Sequence, residues 1–299
     1  MEKYYCKKKV TIGVATYGNL EITRKCIEAI KNSIDGNFEI ILVDDCSPDN
    51  GLIKEYFLSL KNDFKDLKIF YFSENLGYIQ SLNCILSHAT GEKIIFVSND
   101  IIINSYFLEE LIHTSNISEN IGYVRGVSNF VDNGLKTHNV NLNNFSNKNP
   151  NDIAKEILKK NKDNFFEEEY LTGDCFLINT ELLEKIGYFD WVNFKDYFGD
   201  HDFGIRAKAY NFKCIVSEGA FYYHHQGINF HYLPEDQKKI KLRRRSIFLT
   251  EDWARFKLKY DLPITLIYSG VNKIEFDQIK NKVNKKHEIK RKDYSKFLI

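Results

Sequence analysis

An α/β fold built on a mostly parallel sheet is what this 299-residue sequence predicts, and three observations predict it. Short β-branched runs alternate with stretches of helical period four times in about the first 100 residues, the pattern of βαβ units. Two of those runs stop abruptly on acids, at Val43-Asp44-Asp45 and at Ser98-Asn99-Asp100. Carboxylates at the C-terminal ends of buried parallel strands stand on the rim where such sheets bind ligands. Two acidic strand ends on one rim predict a divalent cation, an anionic nucleotide or both, and hence an enzyme.

The first strand is 9–16, KVTIGVAT, short and β-branched. Residues 20–32 set Ile22, Cys26, Ile27 and Ile30 at helical spacing. Strand 38–43 follows, and Ser47-Pro48 predicts a helix start, with Ser47 as N-cap and Pro48 at the first helical position. A third strand (67–72), a helix (77–89) and a fourth strand (93–97) complete the regular half. The rhythm then changes to a helix at 106–114 and a strand at 122–127. Residues 139–151 hold seven asparagines in thirteen positions, too polar to bury, and predict a surface excursion. Beyond it come a helix (155–161), a strand (170–178), a short helix (181–186), a loop and helix (199–210) and two closing strands (213–216 and 220–224). Pro234 marks a boundary: 1–234 reads as the main domain and 235–299 as a basic, mainly helical extension. Its long helix is 235–260, and its last thirty residues are expected to be mobile or docked late.

A composition of 43% hydrophobic and 14% aromatic residues supplies a packed core and excludes disorder for the whole. A formal net charge of +1 argues against a dedicated nucleic-acid binder. The charge is uneven, however: 235–299 carries 18 Lys+Arg against 9 Asp+Glu, a net of +9, which leaves −8 on the first 234 residues. The acidic body suits a metal-assisted site, and the basic end suits an anionic partner such as a membrane surface. The six cysteines (6, 26, 46, 84, 175 and 214) form no Cys-x-x-Cys pair, so buried thiols of a reducing compartment are expected. There is no run of ~18 apolar residues and no signal-peptide pattern, so the expected location is cytoplasmic, with peripheral contact to the inner membrane face.

Seven segments in order carry a resemblance to a family: TIGVATYGN (11–19), IILVDDCSPD (40–49), ENLGYIQSLNCIL (74–86), GEKIIFVSND (91–100), LTGDCFLIN (171–179), IGYFD (186–190) and FGDHDFGIRAKAYNFK (198–213). Together they resemble the family 2 inverting glycosyltransferases over roughly residues 8–232. The resemblance implies the GT-A fold, a Rossmann-like α/β/α sandwich, and a donor that is a nucleotide-diphospho-sugar, typically a UDP-sugar. It implies that Asp45 accepts the imide N–H of the base, a donor that a carboxylate suits, while Asp44 is structural. Thr16 and Tyr17 would cradle the base, and Asn75 and Gly77 would let backbone approach the nucleotide. Ser98-Asn99-Asp100 stands at the family's D-x-D position with only the last acid kept. Asp100 would hold Mn²⁺ or Mg²⁺ against the diphosphate, and Asn99 would meet a ribose hydroxyl or a metal-bound water.

By the same resemblance Asp200, in Gly199-Asp200-His201-Asp202, is the general base that deprotonates the acceptor hydroxyl. The family's E-D-x-D is altered here, with Gly199 in place of the Glu. Asp202 is instead expected to pair with Arg206 at i, i+4. Gly173 and Asp174, after Thr172, fall on the loop near donor sugar and acceptor. Of His224 and His225, one would complete the metal shell or touch the diphosphate. The Q-x-x-R-W motif of processive polymerases is absent, since Gln237 is followed by Lys-Lys-Ile-Lys, which favours transfer of one sugar. The implied partners are a nucleotide-sugar donor and a glycan or lipid-linked glycan acceptor in surface polysaccharide synthesis, with no nucleic acid. A sugar-phosphate nucleotidyltransferase would need a Gly-rich loop bearing Arg and Lys after the first strand, and ATYGNLEITRK has none. The altered S-N-D and G-D-H-D motifs leave a non-catalytic nucleotide-sugar or glycan-binding domain as the alternative.

Overall fold

The computed structural model describes residues 3–131, 139–145, 148–168, 173–225, 235–267, 279, 282–283 and 289–298. Nine strands among them form one mixed sheet: β1 (Tyr4–Thr16), β2 (Ile34–Asp44), β3 (Leu67–Tyr71), β4 (Lys93–Ser98), β5 (Ile101–Ile102), β6 (Ile121–Ser128), β7 (Phe165–Glu168), β8 (Cys175–Asn179) and β9 (Lys213–His224). Their order is β3-β2-β1-β4-β8-β6-β9-β5, with β7 on the side of β9. β1 to β4 pair in parallel, as the βαβ rhythm requires. β8 enters antiparallel to both β4 and β6, and β9 is parallel to β6. The C-terminal ends of β1, β2, β4, β6 and β9 and the N-terminal end of β8 therefore share one rim.

Eight α-helices lie among the described residues: α1 (Leu20–Ser33), α2 (Leu52–Ser59), α3 (Tyr78–His88), α4 (Ser105–Thr114), α5 (Pro150–Asn161), α6 (Thr180–Ile186), α7 (Gly199–Ala209) and α8 (Glu235–Lys259). Strand alternation decides which side each helix covers. Ile40 and Leu42 of β2 pack with α1, α2 and α4, whereas Ile41 and Val43 join the core under α3, α6 and α7. α8 belongs to the second core through Trp253, Phe256 and Tyr260. The extension beyond residue 234 thus shares a core with the domain. Tyr294, in its last segment, is buried and stacks on Phe72 at 5.7 Å.

Several expectations change. Ser47 does not cap a helix, because its hydroxyl and amide both donate to Asp44 Oδ1 at 2.5 and 3.1 Å. Helix α2 starts at Leu52, where Asp49 supplies the capping carboxylate to the amides of Gly51 and Ile53. The two closing strands are one, β9, with a register shift against β6 where it bends. The strand placed at 170–178 begins at Cys175, and 169–172, with Thr172, lie outside the described residues, as does 226–234. β5 and β7 are too short to carry a periodic signal. All six cysteines are free thiols, five buried and Cys46 partly exposed. No helix among the described residues is long and apolar enough to cross a membrane.

At the end of the sheet away from the acidic rim, Glu39 is fully buried and ties three elements together. It accepts from Thr11 of β1 (2.5 Å), Lys68 of β3 (2.5 Å) and both the amide and hydroxyl of Thr90 (2.8 Å each). Burial works against its charge, but these donors overcome it and hold the carboxyl down to about 2. A depressed carboxyl stabilises the fold above its unfolded pKa, near 4.5, and that contribution fades as pH falls toward 2. Glu39→Gln should therefore cost ~3 kcal/mol in urea unfolding at pH 7, with the gap to wild type closing between pH 4.5 and 2. A gap that did not change with pH would show that the carboxylate charge contributes nothing.

Candidate active site

The rim is assembled from strand ends. Asp45 follows β2, and its amide donates to Thr16 O at the end of β1 (2.9 Å). Its carboxylate receives the amides of Leu76 (2.7 Å) and Gly77 (3.0 Å) and the Asn75 side chain (3.0 Å). Asp45 thereby fixes the turn that opens α3. Gly77 adopts φ +94, and a Cβ there would come 2.8 Å from Asp196 Oδ1, so glycine is needed for both conformation and space. Burial is the main reason that Asp45 is pushed up to about 7, with Asp196 adding to it against the Leu76 and Gly77 amides and the charge of Arg244. Tyr17 is 40% exposed beside this carboxylate, and the Thr16 hydroxyl is buried without a hydrogen-bond partner.

Next along the rim is the end of β4. Asn99 turns inward, and its amide nitrogen is held by Gly18 O (3.2 Å) and Thr23 Oγ1 (2.9 Å), so it braces the β1–α1 loop. Asp100 faces β9. Its Oδ2 stands 3.5 Å from His224 Nε2, and its carbonyl accepts the His225 amide (2.9 Å). Of the two histidines, then, His224 meets the acid, while His225 packs its ring edge-on against Tyr223. Asn129 exchanges two hydrogen bonds with the His224 backbone (2.7 and 3.0 Å), which fixes the imidazole's base.

Behind His224 lies a chain of charge invisible to motif reading. His224 Nδ1 is 3.5 Å from Asp174 Oδ2, Asp174 lies 3.3 Å from Arg125 Nη2, and Tyr222 OH donates to Asp174 at 2.7 Å. Arg125, in the middle of β6, has no solvent exposure and also bonds the Tyr222 hydroxyl. Burial would raise Asp174, but Arg125 and His224 hold it down to about 2. Burial likewise opposes charge on His224, yet Asp100 and Asp174 push it up to about 10. Asp174 is accordingly committed to this chain rather than presented to solvent. The available signal was a lone arginine inside the apolar run IGYVRGVS.

Asp200 sits in the first turn of α7, its Oδ1 accepting the His201 amide (2.9 Å) and lying 2.8 Å from His201 Nδ1. At Gly199 a Cβ would meet Ile79 Cδ1 at 2.4 Å, so the acid of the E-D-x-D pattern would require the Ile79 side chain to move. Gly173 is similar, for a Cβ would strike the Tyr78 hydroxyl, which donates to the Gly173 carbonyl. Asp202 is fully buried and pairs with Arg206 Nε (2.8 Å), Tyr260 OH (2.9 Å) and Lys259. The i, i+4 pair forms as expected, and the further partners belong to α8 and the residue after it.

Asp100 and His224, once the imidazolium gives up its proton to a binding metal, would offer a hard oxygen and an imidazole nitrogen side by side. That pair fits Mn²⁺ or Mg²⁺ whose other positions are filled by phosphate oxygens and water. Among the described residues no group of three or more His, Cys, Asp or Glu could hold a metal alone.

The model of glycosyl transferase family 2 matches residues 11–187, more than half of the chain. EpsH of Bacillus subtilis (strain 168) is 29% identical over 126 residues, 42% of this chain and 36% of that protein. The chain spans about a third of the length of the curated relatives it matches. Among solved structures, the mannosyltransferase PcManGT from Pyrobaculum calidifontis, in complex with GDP-Man and Mn²⁺, superposes with a TM-score of 0.56 at 18% identity, covering 84% of this chain and 64% of that one. S. aureus TarS 1-349 in complex with UDP gives a TM-score of 0.52 at 21% identity over 72% and 60% of the two chains. At such identities the likeness is one of fold, and it agrees with the mixed sheet and shared rim described above. With the family match running from β1 through α6 and both acidic strand ends, Asp45 and Asp100, inside it, this chain belongs to glycosyl transferase family 2.

Proposed function

We propose that the protein is an inverting glycosyltransferase that moves one sugar from a nucleotide-diphosphate donor, a UDP-sugar, to an acceptor hydroxyl. The observation that carries this reading is the convergence of Asp45, Asp100 and His224 on one rim, with Asp200 opening the helix α7. The base would lie against Tyr17 and the unpartnered Thr16 hydroxyl, donating its imide N–H to Asp45. Asn75 and Gly77 act by holding Asp45 rather than by meeting the nucleotide. Asp100 and His224 would hold Mn²⁺ or Mg²⁺, which when bound supplies Lewis-acid stabilisation of the diphosphate. Asp200 takes the acceptor proton as the acceptor oxygen bonds the anomeric carbon and the bond to the diphosphate breaks. Direct displacement of this kind inverts the sugar. Asp174 and Arg125 keep His224 turned toward Asp100.

The complexes of PcManGT with GDP-Man and Mn²⁺ and of TarS with UDP support a nucleotide-sugar donor and a divalent ion. The exposed basic residues of α8 support a lipid-linked glycan acceptor at an anionic, cytoplasmic membrane surface. Lys239, Arg243 and Arg245 are exposed there beside the exposed Ile240 and Leu242. We further propose that the domain at 1–234 and the extension at 235–299 work as one unit.

With Mn²⁺ present, UDP at 100 times its Kd should stabilise the fold by about 2.7 kcal/mol, and the same UDP concentration without Mn²⁺ should stabilise it less. Asp100→Asn should keep the metal-independent part and lose the rest in thermal melts. Equal shifts with and without metal in both proteins would remove the metal from the site. Asp200→Asn should retain UDP binding while transfer falls by about 10² to 10⁴. Asp202→Asn should instead lower stability by about 3–5 kcal/mol, because it breaks a buried ion pair. An inactive but fully stable Asp202→Asn beside an active Asp200→Asn would reverse the two assignments.

Asp45 accepts the imide N–H hydrogen bond most strongly when ionised, and burial pushes its carboxyl up to about 7. Uridine, which carries no phosphate to titrate, should therefore bind about tenfold more tightly at pH 8 than at pH 6. An affinity unchanged over that range, followed by NMR titration, would rule out Asp45 as the acceptor.

A further inference from the structure

Of the three consecutive arginines on α8, Arg243 and Arg245 point to solvent and Arg244 turns back onto the domain. Its Nη2 donates to Asn75 Oδ1, the same amide whose nitrogen is bonded to Asp45. The Arg244 charge is felt by Asp45, by Asp196 and by the Tyr17 hydroxyl, so the guanidinium stands at the mouth lined by those three. Phe248, one turn on, has the Arg244 guanidinium at 4.9 Å from its ring centre and Lys195 Nζ at 4.8 Å. Two turns on, about 12 Å along the helix axis, Asp252 Oδ2 accepts three consecutive amides, those of Lys195, Asp196 and Tyr197, at 3.0–3.1 Å. Trp253 and Phe256 then bury the helix against Phe198. The arginine is thus delivered to the rim by a firmly anchored helix.

We propose that Arg244 is a specificity-determining residue of the donor site, reading the edge of the nucleobase together with Asp45. The proposal rests on the nucleotide-sugar reading given above. Uracil presents an acceptor, a donor and an acceptor along its edge: a carbonyl, the imide N–H and a second carbonyl. Asp45, an acceptor when ionised, matches the central N–H. Arg244, a donor with no acceptor capacity, matches a flanking carbonyl once it exchanges Asn75 Oδ1 for the base. Cytosine reverses this edge, placing a ring-nitrogen acceptor before the carboxylate and an amino donor where a carbonyl stood. An unmatched polar pair in a buried site is costly, so uracil is selected over cytosine.

The test compares UDP with CDP, which differ only on that edge, by calorimetric titration of the full chain with Mn²⁺ present. Wild type should bind UDP at least tenfold more tightly than CDP. Arg244→Gln should weaken UDP about tenfold and change CDP by less than threefold, which collapses the preference. Arg245→Gln, one residue away and exposed, should leave both affinities and the melting temperature at wild-type values, and Arg244→Gln should melt within a few degrees of wild type. Equal weakening of UDP and CDP by Arg244→Gln would assign the guanidinium to the phosphates and overturn base reading. Unchanged UDP affinity, or a wild type that does not distinguish the two nucleotides, would overturn it as well. A wild type that binds neither UDP, CDP nor GDP would refute the donor-site reading itself.

Discussion

A guanidinium with no solvent exposure, in the middle of a central strand, is the constraint to which the rest of the rim answers. A charge so placed is tolerated only when it is paired and hydrogen-bonded. Arg125 obtains that from Asp174 at the start of the neighbouring β8, from the Tyr222 hydroxyl on β9 and from the Gly126 carbonyl. Three adjacent strands are thereby locked in register at the functional edge. Asp174, once neutralised on one side, presents its remaining oxygen to His224, and His224 is left facing Asp100. The alternation of charge from core to rim, plus to minus to plus to minus, leaves the last carboxylate at the surface.

Two carboxylates in one helical turn show how environment separates roles. Asp202 is buried among Arg206, Lys259 and Tyr260, and serves as the joint between α7 and the C-terminal helix. Asp200, two residues earlier and therefore on a different side of α7, keeps only His201 as its close polar neighbour among the contacts described above. Small residues around it are dictated by packing. Ile79 presses on Gly199 and Tyr78 on Gly173, so the approach to Asp200 is shaped by α3, the helix that Asp45 positions. The turn held by Asp45 and the surroundings of Asp200 are in this way shaped by one element.

Much of this was legible in the sequence because its signals are local. A buried strand that ends on an acid announces itself, so Asp45 and Asp100 could be placed on one rim from VDD and SND alone. The period of α1 named Ile22, Cys26, Ile27 and Ile30, which pack in the core there. What could not be read depends on partners distant in the chain. Asp174 read only as part of a loop near donor sugar and acceptor because Arg125 and Tyr222, which claim it, lie 49 and 48 residues away. Ser47-Pro48 carried a convincing start signal, but the nearer carboxylate of Asp44 took the serine hydroxyl. Arg244 looked like one of many charges on a solvated basic helix, and only the anchoring of Asp252 on the 195–197 amides turns it inward.

That α8 forms a wall of the rim has a consequence for the order of events during synthesis. Chains fold as they emerge, and contacts between distant residues close late. By the time His224 has left the ribosome every strand of the sheet is available, including the Asp100–His224 pair. The hydrogen bond between Arg244 and Asn75 spans 169 residues and that between Tyr294 and Gln80 spans 214, so the first must wait for residue 244 and the second for residue 294. A nascent or truncated chain would then hold a complete sheet with an open, unselective mouth. The rim would thus be walled only after its sheet is built.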